Sequence, residues 1–131
     1  MRNAFFAIVA VSLLAGCAGS PSVSSQSLSY PYVATPNRQD QILNGMGRVK
    51  ADMEPSDVER FLGKPDEIRK LYDRIKNADP VGYTWWYIIE RNTPSGSVVE
   101  KAEKLVRVSF DLKDKVTRVD SWGIETKSDN N

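Results

Sequence analysis

The sequence predicts an α+β domain: two short N-terminal helices packed on one face of a three-stranded antiparallel sheet. Three observations predict it. Apolar residues recur at helical spacing as far as Leu62. From Tyr83 onward they alternate with polar residues in three runs rich in aromatic and β-branched side chains. The helical runs all precede the strand runs, the order of an α+β layer rather than of alternating βαβ units. Composition narrows the chemistry. With no His and one Cys in 131 residues, an imidazole base, an internal disulfide and a Cys-cluster zinc site are all excluded. The 18 Lys+Arg against 17 Asp+Glu, net charge +1, lack the basic excess of nucleic-acid binders. No metal or cofactor is expected.

Residues 1–16 have the form of a lipoprotein signal peptide. Arg2 is the positive start, Ala4–Ala15 is apolar except for Ser12, and the run ends in Leu14-Ala15-Gly16-Cys17. Such a run spans about 18 Å at ~1.5 Å per residue, too little for the ~30 Å core of a bilayer. Cys17, the only cysteine, is the expected lipidation site, and acyl chains such as palmitate would anchor the chain to the membrane at ~0.8 kcal/mol per buried CH₂. Ala18 rather than Asp follows it, which by resemblance to enteric-type sorting implies the outer membrane, facing the periplasm.

Residues 17–37 are expected to be a disordered tether: Ala18–Asn37 holds six Ser, three Pro and no charge, too little apolar surface to offset chain entropy. Tyr30, Tyr32 and Val33 allow a short docked segment, but the linker reading is preferred. The domain is placed at 38–124 and a frayed tail at 125–131. Asn37 is the expected cap of a first helix whose face is Ile42, Leu43, Met46 and Val49, with Gly45 and Gly47 shortening or bending it. The second helix is framed by Glu54 at the cap, Pro55 at its first position and Gly63 as its stop, with Val58, Phe61 and Leu62 between. Asp66–Asn77 fits a helix or an extended segment. Tyr83–Arg91, Leu105–Leu112 and Val116–Trp122 are the strands, the last two joined by a tight Lys113-Asp114-Lys115 turn.

The runs Val49-Lys50-Ala51-Asp52-Met53, Glu54-Pro55-Ser56-Asp57-Val58 and Leu62-Gly63-Lys64-Pro65 resemble the helical half of the BamE (SmpA/OmlA-type) small outer-membrane lipoproteins. Thr84-Trp85-Trp86-Tyr87 is similar to that family's aromatic strand, and Phe110-Asp111 with Val116-Thr117-Arg118-Val119-Asp120 to its last hairpin. Asp52 stands where the family has Gly, and this chain carries an insertion between Pro65 and Tyr83. The resemblance implies a non-enzymatic scaffold of the β-barrel assembly machinery in the outer membrane, and it implies an extended Asp66–Asn77. The same helix–helix–sheet unit also resembles the repeats of β-lactamase inhibitor proteins. An inhibitor or protein-binding module, and a stress-induced envelope lipoprotein with no assembly role, are therefore the alternatives.

Catalysis has little to build on. Asp111, Asp114 and Asp120 cluster near one hairpin, each with a Lys or Arg nearby, which favours solvated turn charges over an acid/base pair. Strand phase is more informative. Tyr83, Trp85, Tyr87 and Ile89, with Val106, Val108, Phe110, Leu112 and Val119, are expected to face the helices. Val116 is expected outside. The other face then gathers Trp86, Ile88, Arg107, Arg118 and Trp122, aromatics beside arginines, the composition of a protein-binding surface. These five are the candidate partner-binding residues.

Overall fold

The computed structural model describes residues 28–73, 78–94 and 103–125. The signal peptide, Cys17 and the tail beyond Glu125 lie outside the described residues. The chain order is β1 (Tyr32–Val33), α1 (Pro36–Met46), α2 (Pro55–Leu62), β2 (Glu67–Tyr72), β3 (Pro80–Arg91), β4 (Lys104–Asp111) and β5 (Val116–Trp122). The class is α+β as expected, but the sheet has five antiparallel strands, not three. Both additions pair with one edge of β3: Glu67–Tyr72 along its first half, Tyr32–Val33 at its end. At twelve residues, β3 is long enough to serve both. The extended reading of 66–77 therefore holds for β2. The tether reading does not hold from Tyr32 onward: Tyr32–Val33 is strand and α1 begins at Pro36.

Thr35, not Asn37, caps α1: its Oγ1 accepts from the Arg38 N–H at 3.3 Å, and Pro36 takes the first helical position. Ile42 is fully buried, whereas Leu43 is exposed, because the apolar stripe of α1 is narrower than the sequence suggested. Gly45 has a packing reason, since a Cβ there would lie 2.4 Å from the Phe61 carbonyl oxygen of α2. The second helix is framed as expected by Glu54, Pro55 and Gly63, the last at φ 75°. Arg38 then reaches across from α1 and donates to the Leu62 and Lys64 carbonyls at 2.6 Å each, supplying partners to the end of α2. Asp52 adopts φ 69°, a left-handed turn that Asp tolerates better than most residues. Its N–H donates to Val116 O while Val116 N–H donates to Met53 O, both at 2.9 Å, pinning the interhelical turn to the start of β5.

One core cluster joins Ile42, Val49, Val58 and Leu62 to Trp85, Tyr87, Ile89, Val106, Val108, Phe110 and Val116. Two expectations fail here. Val116 is buried because β5 carries an extra residue, Thr117, where the register with β4 shifts between Ser109 and Phe110. This bulge turns both Val116 and Val119 inward, which strict alternation forbids. Leu112 is 71% exposed because β4 ends at Asp111 and the chain turns there. The three hairpin aspartates have separate structural roles. Asp111 accepts from the Lys113 and Lys115 N–H groups, Asp114 from the Tyr83 hydroxyl, and Asp120 from Arg118.

Candidate functional site

The outer face of the sheet is built around Trp86. In register, Trp86 on β3 lies between Glu67 on β2 and Arg107 on β4, and Arg107 lies opposite Asp120 on β5. Three guanidiniums surround the indole: Arg69 at 4.0 Å from the ring centroid, Arg107 at 5.4 Å and Arg91 at 5.7 Å. A guanidinium over a Trp face is attracted by the ring quadrupole at ~0.5–1 kcal/mol when exposed and more when desolvated.

Carboxylates hold two of these arginines in place. Glu67 bonds Arg69 at 2.6 Å and the fully buried Arg91, also at 2.6 Å. The Arg91 Nε lies 3.2 Å from Glu103, close enough for charge attraction but without hydrogen-bond geometry. Arg91 reaches this side because β3 carries an extra residue, Ile89, where its register with β4 shifts between Ile88 and Glu90. Arg118 is held by Asp120 at 2.7 Å. Two further donors, the Trp86 indole Nε1 and the Arg107 Nε, are like Arg91 Nε buried without a hydrogen-bond partner among the described residues, and unlike it they have no carboxylate beside them there. Such orphans are rare in folded proteins and costly.

Arg69, Lys70, Leu71, Thr84, Trp86 and Arg107 line an open groove of about 290 Å³, closed on its far side by Arg118 and Asp120. Of the five residues expected to bind a partner, Trp86, Arg107 and Arg118 come together here. Ile88 has the expected outward phase but is fully buried, as is its cross-strand partner Leu105, so the expectation that Ile88 is a contact residue is corrected. Trp122 is 39% exposed but sits opposite Leu105, outside the groove. Sequence reasoning missed Glu67, Arg69 and Arg91. The Glu67-x-Arg69 alternation was visible, but placing it requires the β2 register. Arg91 needs the bulge.

Where β3 passes from β2 to β1, neither strand supplies an acceptor for the Ile88 N–H. The Asp66 carboxylate takes that place at 2.7 Å, while the Asp66 N–H donates to Trp86 O at 2.9 Å. Burial raises the Asp66 pKa above its usual 3.8, although the Ile88 N–H and Arg38, 3.9 Å away, favour the charged form. On the inner side, burial likewise pushes up the Tyr87 hydroxyl, which donates to Gly63 O at 3.0 Å.

Among the described residues, no three Cys, Asp or Glu side chains converge as metal ligands, and no helix is long and apolar enough to cross a membrane.

No family model matches the chain and no curated protein matches it at a significant level. It is similar to a crystal structure described as that of a putative osmotically inducible lipoprotein, OsmE, at 20% sequence identity; the match covers 67% of this chain and 85% of that one, with a TM-score of 0.41. Likeness at that level says nothing about what this chain binds.

Proposed function

We propose that this protein is a lipid-anchored envelope lipoprotein that acts without catalysis, as a scaffold or accessory protein in outer-membrane β-barrel assembly. The observation that carries the binding role is the groove over Trp86. It brings a large aromatic and an arginine, each with a donor unmatched among the described residues, onto a sheet face that neither described helix covers. Aromatic and Arg side chains of this kind anchor protein interfaces. The placement in the outer membrane rests on Leu14-Ala15-Gly16-Cys17 followed by Ala18.

Two variants test the two halves of the reading. Cys17→Ser should lose radioactive palmitate and leave the outer-membrane fraction; equal labelling of both forms removes the anchor. Trp86→Ala should stay folded and membrane-bound yet lose the partner captured by mild crosslinking of cells. Capture of barrel-assembly subunits by the wild type supports this reading. Capture of a single soluble hydrolase replaces it with an inhibitor role, and no reproducible partner overturns the scaffold.

A further inference from the structure

We propose that the groove over Trp86 receives a carboxylate from an acidic segment of a protein partner, with Arg107 as counter-charge and the Trp86 indole N–H as second donor. This rests on the scaffold reading and names the chemistry of the partner. Charge matching singles out Arg107. Arg69 and Arg91 share Glu67, Arg91 also meets Glu103, and Arg118 is held by Asp120. Arg107 stands across from Asp120 in register but has no ion pair among the described residues, and its Nε is buried without an acceptor. The Trp86 Nε1 is in the same condition on the cross-strand neighbour of Arg107, whose guanidinium lies 5.4 Å from the centre of the Trp86 ring. Two adjacent unmatched donors define a place for an acceptor, and a charged acceptor makes roughly twice the bond of a neutral one.

The shape and the rim select the source. At about 290 Å³ and open to one side, the groove lies at the bottom of the ~300–1,000 Å³ range of small-molecule sites and suits a single side chain. Leu71 offers that side chain's stem an apolar contact. Asp120 on the rim repels a dianionic phosphate more strongly than a monoanionic carboxylate. Because both orphan atoms are shielded from water, admission requires a side chain to turn aside. Arg69 has room to do so, its side chain being 44% exposed.

The test uses the full chain in an uncharged detergent, ¹⁵N-labelled, with the Trp86 indole resonance identified by its loss in Trp86→Phe. A glutamate-rich peptide capped at both ends should shift that resonance saturably, and its glutamine counterpart should not. Arg107→Gln should weaken the peptide tenfold or more with an otherwise native spectrum, and Arg107→Lys should weaken it less. Equal binding of the glutamine peptide, tighter binding of inorganic phosphate or of anionic phospholipid vesicles, or no shift at all would overturn the proposal. If Trp86→Ala loses its crosslinked partner while the glutamate peptide fails, the scaffold stands and the carboxylate falls. If the peptide binds as expected and no partner is captured, the carboxylate site stands and the scaffold falls.

Discussion

The two faces of this sheet are stabilised by different physics. The inner face is carbon against carbon: Tyr87, Val106, Val108 and Phe110 are all fully buried beneath Ile42, Val58 and Leu62. The outer face is nearly as closed at the Ile88–Leu105 end, yet around Trp86 it is assembled from arginines threaded between carboxylates and an indole. Apolar packing is non-directional and forgives small errors of position. The outer network is directional, and removing one member leaves another with a buried, unmatched charge. Among the described residues, the difference explains why the outer face retains unmatched side-chain donors while the inner face, with Tyr87 bonded to Gly63 O, retains none.

The largest effect that separates the faces is expected at Phe110. It is fully buried, stacked on Tyr83 and met at a tilt by Trp85, both rings at 4.9 Å. Phe110→Ala should cost ~3–5 kcal/mol in urea melts. Phe61, on the apolar side of α2, is only half-buried, with Arg48 and Arg60 over its ring. Phe61→Ala should therefore cost clearly less; equal losses would move the centre of the core toward the helices.

Gly45→Ala comes next. Ala raises helix propensity by ~1 kcal/mol, but its Cβ meets a backbone carbonyl at 2.4 Å and Leu62 Cδ2 at 2.8 Å. A backbone carbonyl cannot turn aside, so overpacking of ~1–3 kcal/mol should win and lower the melting temperature. Gly47→Ala is the control: nothing lies within 4 Å of its Cβ position and φ is −71°, so it should be neutral or stabilising. A stable Gly45→Ala would show that the helices separate at little cost.

Trp86→Ala probes the outer face directly. The strand phase alone treats Trp86 as a surface residue, whose substitution usually stays within ~0.5 kcal/mol. With Arg69 at 4.0 Å and two more guanidiniums beyond, a loss of about 1–2 kcal/mol is expected instead. That is more than a surface position and less than Phe110. A loss as large as that of Phe110→Ala would make the outer face a second core. No loss at all would make the cation–aromatic network energetically empty.

How much of this was legible followed from the same contrast. Alternation alone identified the inner residues of β3 and β4, because a half-buried strand must place every second side chain in the core. It failed at Val116 and Arg91, where single-residue bulges shift the phase and composition gives no sign of them. The helix stop at Gly63 was readable since only a positive φ fits there. The cap at Thr35 was not, being hidden inside a Ser/Thr-rich stretch with several equivalent candidates. In the groove, Trp86, Arg107 and Arg118 came from strands whose phase was visible. Arg69 and Glu67 came from β2, whose register depends on pairing with β3 and cannot be read from its own residues.

The smallest effect concerns Asp66, which belongs to neither face but fills the gap in the ladder between β2 and β1. Burial is the leading influence on its carboxyl and raises its pKa above 3.8. The native state therefore holds the Asp66 proton more tightly than the unfolded chain does. Where native binds more protons, stability falls as pH rises. The contribution of Asp66 is thus full below about pH 4 and is lost as pH climbs through the raised native pKa. Asp66→Asn keeps an oxygen acceptor for the Ile88 N–H and removes the charge. The difference in unfolding free energy between variant and wild type, measured by urea melts across pH 4 to 7, isolates this one group from the other carboxylates. That difference should move steadily in favour of Asp66→Asn as pH rises. A difference that moves the other way would mean that the Ile88 N–H and Arg38 outweigh burial. The edge of the sheet would then behave like the charge-matched outer face rather than like the core.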